Sequence, residues 1–217
     1  MDKPLTWTSF DLVNKVRKSL RHYLGIQKIK VGHAGTLDPL ATGLVIICTG
    51  KATKQIMQYQ DLYKTYDSEI RLGATTPSFD LETAVDKTFP WEHITREMVD
   101  NALNQLTGAQ AQMPPLFSAK SVDGKRAYEM ARKGKQVELK PQHITIHSLE
   151  VHSFEPPDLA IRVECSKGTY IRSLARDLGQ VLDSGGHLTG LRRTRIGPHQ
   201  VSEAISLDNF VEKLELL

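Results

Sequence analysis

Hydrophobic residues recur at helical spacing near the start of the chain. Between Phe10 and Leu24 the apolar positions fall three or four residues apart, a period that predicts an amphipathic helix. Thr8 and Asp11 suit an N-terminal cap, and Gly25 suits the left-handed conformation that ends many helices. Further helices are predicted over 52–59, 95–106 with Thr95 as cap, 169–182, and 206–217 with Ser206 as cap.

Strands are predicted where polar and apolar residues alternate, or where a short apolar run ends at glycine. Residues 64–72 (KTYDSEIRL) alternate, which places Tyr66 on one face with Ser68, Ile70 and Leu72. Residues 43–48 (GLVIIC) predict a single buried strand. The other predicted strands are 144–154 and 159–165, joined in a hairpin by Pro156, Pro157 and Asp158, and 188–196.

Helices and strands interleave irregularly, and several strands pair as hairpins. This order is typical of the α+β class, with a mixed, mostly antiparallel sheet flanked by helices. Residues 116–142 are polar, basic and poor in large apolar side chains, which indicates an excursion from the core. We therefore expect one domain over 1–217 with a protruding basic insertion at about 113–142.

Composition narrows the class of protein. The chain has 217 residues, of which 40% are hydrophobic and 24% charged, and these values exclude fibrous and disordered proteins. It has neither the apolar run of about 18 residues that a membrane helix needs nor an apolar signal core after Met1. We expect a cytoplasmic protein without membrane contact. Cys48 and Cys165 are isolated in apolar runs, which favours buried thiols over a disulfide or a zinc site.

Positive charge is concentrated in two segments. Residues 113–140 carry seven Lys or Arg against three Asp or Glu, and residues 162–199 carry the same numbers. The whole chain has a net charge of only +3, so the rest of it is acidic. Two basic segments on an acidic body favour a phosphate-binding surface, although two solvated surface stretches would give the same count.

One carboxylate stands in the glycine-rich segment 31–54. Gly35 and Gly43 flank Asp38, and Pro39 restricts Asp38 to an extended backbone. Such a carboxylate can be aimed at a ligand, but Asp is also a common turn residue with a purely structural role. His33 is either a base or a loop histidine. The sequence lacks the motifs GxxxxGK[ST], GxGxxG, HExxH and Cys-x-x-Cys, so we expect neither a metal nor a cofactor.

A family resemblance extends this interpretation. The segment GHAGTLDPLATGLV resembles the signature GHxGxLDPxAxGxL of the TruB family, the tRNA pseudouridine-55 synthases. Other segments resemble further family blocks in the same order, and together they span nearly the whole chain. They are DKPLTWTSFDLVNKVR, KTYDSEIRLGATTPSFD, SAKSVDGKRAYEMARKG, SKGTYIRSLARDLG and GGHLTGLRRTRIG.

The resemblance implies a fold, an activity and roles for single residues. It implies the pseudouridine synthase catalytic fold and the isomerisation of a uridine in the T arm of tRNA, with Asp38 as the essential aspartate. Tyr66 then stacks on the target base, Arg172 pairs with Asp38, and His33 assists base flipping. Tyr170 and Leu191 line the pocket. The basic insertion becomes an RNA-gripping thumb, with Lys120, Lys125, Arg126, Arg132 and Lys133 as candidate contacts to the RNA backbone.

The resemblance also sets expectations about partners. The T stem-loop of tRNA is the expected partner, and we expect a monomer without an obligate protein partner. Thr6 stands where the family usually has glycine, the chain begins without the usual strand before Lys3, and no C-terminal RNA-binding domain is expected. A non-catalytic RNA-binding protein and the catalytic subunit of a guide-RNA complex remain as alternatives.

Overall fold

The computed structural model describes residues 1–118, 121–122, 125–126 and 139–216. The helices are α1 (Ser9–Tyr23), α2 (Ile56–Asp61), α3 (Arg96–Gln105), α4 (Ile171–Val181) and α5 (Leu207–Glu215), with 3-10 helices at Gly50–Gln55 and Val201–Glu203. The strands are β1 (Asp2–Lys3), β2 (Val31–His33), β3 (Thr42–Leu44), β4 (Ile47–Thr49), β5 (Lys64–Leu72), β6 (Ala74–Thr75), β7 (Lys87–Thr88), β8 (Gly108–Gln112), β9 (Ser121–Val122), β10 (Lys125–Arg126), β11 (Gln142–Glu155), β12 (Asp158–Cys165), β13 (Gly186–Ile196) and β14 (His199–Gln200).

The largest sheet of the described residues has eight strands. Its order is β1, β3, β13, β5, β12, β11 and β8, and β14 pairs with β13 at one side. The pair β13 and β3 is parallel, whereas β1 with β3, β11 with β12, and β11 with β8 are antiparallel. Helices accompany this mixed, mostly antiparallel sheet, so the predicted α+β class is confirmed.

The helix ends follow the predicted chemistry. The Thr8 hydroxyl accepts from the Asp11 backbone N–H at 3.0 Å, and the Asp11 carboxylate accepts from the Thr8 N–H, which forms the capping box at the start of α1. Gly25 has φ +64°, as expected after the end of a helix. Thr95 and Ser206 cap α3 and α5 with their side chains.

The contacts group the chain into two compact units. The first unit contains Met1–Tyr66 and Leu191–Leu217. Its core packs α1 against α5, and the buried residues of this core are Val13, Val16, Leu20, Val31 and Leu214. Burying this apolar stripe is the main force that holds α1 in place.

The second unit contains Asp67–Gly190. Its long hairpin pairs β11 with β12, from Ile146 opposite Cys165 to Glu155 opposite Asp158. The turn between these strands carries Pro156 and Pro157, as predicted. Val163 and Ile161 of β12 are fully buried, so the inward face of the hairpin forms part of the core. None of the described helices is both long and apolar enough to cross a lipid bilayer.

Two predicted elements differ from the structure. Residues 43–48 do not form one strand, because Leu44 pairs with β1 whereas Ile47 pairs with β2. Each half has its own partner, so the chain changes sheets between them. The helix predicted over 52–59 is split into a 3-10 helix and α2. Cys48 and Cys165 are buried thiols, as predicted.

Candidate active site

Asp38 lies in the loop between β2 and β3 and is half-buried, whereas Leu37 and Ala41 of the same loop are buried. The loop forms no strand ladder with its neighbours. Instead, each backbone carbonyl oxygen from Gly35 to Pro39 accepts a hydrogen bond from a specific donor. This pattern fixes the backbone that carries the carboxylate.

Arg193 of β13 holds the first part of this loop. Its guanidinium donates to the carbonyl oxygen of Gly35 at 3.2 Å and to that of Thr36 at 3.3 Å, and its Nε donates to the carbonyl oxygen of Leu44 at 2.7 Å. Arg193 is only 1% exposed. Three donors converge on three carbonyls, a task that suits the rigid fork of a guanidinium.

The middle of the loop is held by a hydroxyl and by its own backbone. The Ser9 hydroxyl donates to the Leu37 carbonyl at 3.0 Å and accepts from the Leu37 N–H at 2.8 Å. The Asp38 carbonyl accepts from the Ala41 N–H at 3.1 Å. Ser9 begins α1, so the helix and the loop are joined directly at the residue before Asp38.

Lys3 holds the end of the loop. Its ammonium donates to the carbonyls of Trp7 at 2.6 Å, Pro4 at 3.0 Å and Pro39 at 3.4 Å. Its side chain is completely buried, and this desolvation lowers the pKa of Lys3 to about 8, although the Asp38 carboxylate nearby favours the charged form. Sequence reasoning missed Lys3 and Arg193, because a count of charges does not reveal that a cation is buried.

His33 ends β2, five residues before Asp38. Burial lowers the pKa of His33, and the backbone of Gly35 offsets part of this effect. The ring is therefore neutral at pH 7. Its Nδ1 is buried and lacks a hydrogen-bond partner among the described residues. A buried nitrogen without a partner is unusual in a folded protein, and a bound ligand is one way to satisfy it.

Tyr66 and Leu191 lie on neighbouring strands. Tyr66 is on β5 and is 8% exposed, and Leu191 is on β13 with a partly exposed side chain. The predicted face of β5 is confirmed, since Ser68, Ile70 and Leu72 are buried with Tyr66. Both candidates belong to the first unit, as do His33 and Asp38.

Tyr170 is the residue immediately before α4 in the second unit. The side-chain amide of Gln112 holds its backbone from both sides. Gln112 accepts from the Tyr170 N–H at 2.8 Å and donates to the Tyr170 carbonyl at 3.1 Å. Gln112 is buried and was not predicted as a site residue, since a single glutamine on a strand gives no sequence signal.

Arg172, in the first turn of α4, is 4% exposed. Its Nε lies 3.6 Å from a carboxylate oxygen of Asp80, and its Nη1 donates to the Ser78 carbonyl at 3.2 Å. Asp80 is buried as well, so the opposite charges of Arg172 and Asp80 compensate each other inside the protein. Sequence reasoning missed Asp80. The pairing of Arg172 with Asp38 stays a prediction.

The arginines of the second basic segment have partners within the protein. Besides Arg172 and Arg193, three of its arginines form ion pairs. The pairs are Arg162 with Asp67, Arg176 with Asp177, and Arg192 with Asp2. These arginines bind acidic side chains or carbonyls of the protein itself, and the phosphate-binding surface expected from the charge count stays a prediction.

The thumb candidates are only partly covered by the structure. Lys125 and Arg126 form β10, which pairs with β9 in a two-stranded antiparallel sheet. Lys120, Arg132 and Lys133 lie outside the described residues. The predicted contacts of these residues with RNA stay predictions.

Comparison with known sequences decides the family. The family model described as "TruB family pseudouridylate synthase (N terminal domain)" matches residues 21–171. The family model described as "tRNA pseudouridylate synthase B C-terminal domain" matches residues 172–216. The chain belongs to the TruB family of pseudouridylate synthases. The family and the enzyme class predicted from the sequence are thereby confirmed.

Individual relatives agree with this family. A protein of Phocaeicola vulgatus named tRNA pseudouridine synthase B is 58% identical over 99% of this chain and 91% of its own length. One of Flavobacterium johnsoniae with the same name is 50% identical over 99% of this chain and 94% of its own. Among solved structures, a Cbf5-Nop10-Gar1 complex has a chain with a TM-score of 0.71 and 27% identity. The match covers 97% of this TruB-family chain and about half of that one, 52%.

Proposed function

We propose that this TruB-family protein isomerises a specific uridine of tRNA, at position 55 in the T arm, to pseudouridine, and that Asp38 is the catalytic carboxylate. The observation that carries the proposal is the loop from Gly35 to Pro39, in which every carbonyl oxygen is held by a donor of the protein. A carboxylate on so fixed a backbone is suited to a reaction that depends on position. The names of the relatives support tRNA as the substrate.

The reaction needs no electron acceptor. The bond between N1 of uracil and C1′ of ribose breaks, the base turns, and a bond forms between C5 and C1′. The proton on C5 leaves to solvent, and N1 gains one. Asp38 takes part either by attacking C1′ or by assisting departure of uracil through a glycal-type route, and both routes require the same ionised group near C1′.

The remaining candidates surround the reacting nucleotide in this proposal. The target base leaves its loop and enters the enzyme. Tyr66 stacks on it, His33 contacts the extruded nucleotide, and Tyr170 and Leu191 close the pocket. Arg172 pairs with Asp38 and keeps the carboxylate oriented.

Binding of the tRNA body falls to the basic insertion. Lys120, Lys125, Arg126, Arg132 and Lys133 contact phosphates of the RNA backbone in this proposal. The support is the excess of Lys and Arg over Asp and Glu in residues 113–140.

The proposal is tested by incubating an unmodified tRNA transcript with this protein alone and mapping pseudouridine by mass spectrometry. We expect modification at one uridine of the T arm for the wild type and none for Asp38→Asn, which preserves size but removes the charge and the nucleophile. Asp208→Asn, at an exposed residue of α5, is the matched control and should retain activity.

Each alternative gives a different result in this assay. A non-catalytic RNA-binding protein gives no pseudouridine with the wild type. A subunit that needs a guide RNA gives none until guide and partner proteins are added. An Asp38→Asn variant that binds tRNA and modifies it at the wild-type rate would refute the role of Asp38.

A further inference from the structure

A groove beside the start of α1 is not used by the reaction described above. It has a volume of about 430 Å³ and lies wholly within the first unit. Its lining residues are Thr6, Trp7, Asp11, Asn14, Lys15 and Lys18. The groove is open to solvent.

The groove begins next to the loop that carries Asp38. The backbone N–H of Thr6 donates to the Pro39 carbonyl at 2.8 Å. Lys3 binds the carbonyls of both Trp7 and Pro39. One end of the groove is thus connected by hydrogen bonds to the residue that follows Asp38. A nucleotide strand whose reacting residue is at Asp38 therefore has this groove within reach of its neighbouring nucleotides.

The side chains of the groove suit such a strand. Lys15 and Lys18 are exposed, and neither forms an ion pair in the part of the chain that the structure describes. The carbonyl oxygen of the Asn14 side chain accepts from Arg17 at 2.8 Å, which leaves its amide nitrogen as the end that can donate to a ligand. These groups are donors and cations, as phosphate oxygens require.

Asp11 brings one negative charge to the same groove. Its carboxylate, however, is bound to the N–H and the hydroxyl of Thr8 in the capping box, at 3.0 and 2.6 Å. These hydrogen bonds lower the pKa of Asp11 and keep it charged. With two lysines and one carboxylate, the groove has a net positive charge. The carboxylate of Asp11 is held at the start of α1 by Thr8.

Apolar side chains at this end favour a nucleic acid over a simple anion. Trp7 lines the groove with a partly exposed ring, and Leu5 and Phe10 nearby in the chain are 54% and 62% exposed. Every nucleobase has a flat face that stacks on such a ring, so aromatic rings beside lysines are typical of sites for single-stranded nucleic acid. Thr6 has φ +68°, and this uncommon conformation for a non-glycine residue shapes the turn that presents Trp7.

We propose that this groove binds the RNA strand adjoining the target uridine, with phosphates at Lys15 and Lys18 and a base stacked on Trp7. This inference rests on the proposed function, because it takes the reacting uridine to be at Asp38. The groove is then a second RNA-contacting site of the first unit, besides the site at Asp38. It is separate from the basic insertion, which belongs to the second unit. The ligand is RNA that is unpaired at this point, since a base in a duplex does not offer its face.

The experiment compares two double charge reversals in titrations with tRNA over a range of salt. Lys15→Glu with Lys18→Glu changes the groove, and Lys51→Glu with Lys54→Glu makes the same change at exposed residues of the 3-10 helix in the same unit. We expect the groove variant to bind more weakly and its log-log salt slope to fall by about 1.5 units, since each lost contact contributes about 0.7 to 0.9. The control should stay near the wild-type slope.

Fluorescence tests the stacking on Trp7. The chain has two tryptophans, so Trp91→Phe leaves Trp7 as the single reporter. We expect tRNA to quench it, and Trp7→Ala to weaken binding while Trp7→Phe restores it. An unchanged salt slope in the groove variant, an equal change in the control, or an absence of quenching would overturn the proposal.

These outcomes are independent of the proposed activity. Binding slopes and quenching are measured without turnover, and pseudouridine formation by the wild type is assayed in parallel. If the wild type is active and the groove variant binds like the control, only the groove inference fails. If the wild type is inactive, the proposed function fails, whatever the titrations show.

Discussion

Arg193 and Arg162 lie on strands of the same sheet but interact with different kinds of partner. Arg193 is 1% exposed and donates to three backbone carbonyls. The side chain of Arg162 is 42% exposed and pairs with Asp67 at 2.8 Å. In the sequence they are two equal positive charges. The comparison teaches that the environment of a cation, and not its sign, decides whether it holds the fold together, binds an acidic neighbour or remains available to RNA.

The largest expected effect is that of Arg193→Met. The substitution preserves much of the apolar stem but removes the donor to the buried carbonyl of Leu44 and to the part-buried carbonyls of Gly35 and Thr36. A buried unsatisfied group costs about 1 to 3 kcal/mol and a part-buried group costs less, so we expect the free energy of unfolding to fall by about 3 kcal/mol. Urea denaturation followed by circular dichroism measures it.

Arg193→Lys is the matched control for that variant. One ammonium has no planar fork to span three carbonyls, so an intermediate loss of stability is expected. If Arg193→Met were as stable as the wild type, the carbonyls would have other donors, and the contrast with Arg162 would not hold.

A smaller effect is expected from the pH dependence at Lys3. The pKa of Lys3 is about 8 in the folded chain, below its ordinary value of 10.5. Between these two values the unfolded chain holds a proton that the folded chain releases, so stability rises with pH in this window. The free energy of unfolding of the wild type, minus that of Lys3→Met, should rise by about 1 to 3 kcal/mol from pH 8 to 10.5.

Subtracting the Lys3→Met curve removes the titration of all other groups. Denaturation midpoints at intervals of half a pH unit are sufficient for the comparison. A difference that stays flat across this window would mean that Lys3 titrates near its ordinary value and that its burial has little electrostatic cost.

The smallest effect is expected for Arg162→Gln. The pair with Asp67 is well exposed, and solvent screens most of its attraction, so the loss of stability should stay below about 1 kcal/mol. Raising the salt concentration should shrink it further. A double-mutant cycle with Asp67→Asn isolates the pair, and a coupling above about 2 kcal/mol would place Arg162 beside Arg193 in importance.

The sequence predicted the regular elements well, for a local reason. Thr8, Thr95 and Ser206 were each identified as caps, and Lys64–Leu72 was predicted residue for residue. Capping and alternation depend on neighbours a few residues apart. The break between Leu44 and Ile47 was not predictable, because it results from two strands, β1 and β2, that are remote from each other in the sequence.

The residues of the site show the same difference between local and long-range features. Asp38 and its flanking glycines were visible as a motif, whereas the groups that hold them were not. Lys3 is 36 residues from the carbonyl of Pro39 that it binds, and Arg193 is 158 residues from Gly35. Asp80 and Arg172 are likewise brought together only by folding. No spacing rule connects such partners, so long-range polar contacts require the structure.

The bound carbonyls of the Asp38 loop also have a thermodynamic consequence. Ordering a flexible segment costs about 1 to 2 kcal/mol of conformational entropy for each residue. For Gly35 to Pro39 that cost is met when the chain folds, because the donors of Arg193, Ser9 and Lys3 are already in place. A substrate that reaches Asp38 finds a finished surface, and its binding energy remains available for distorting the substrate itself.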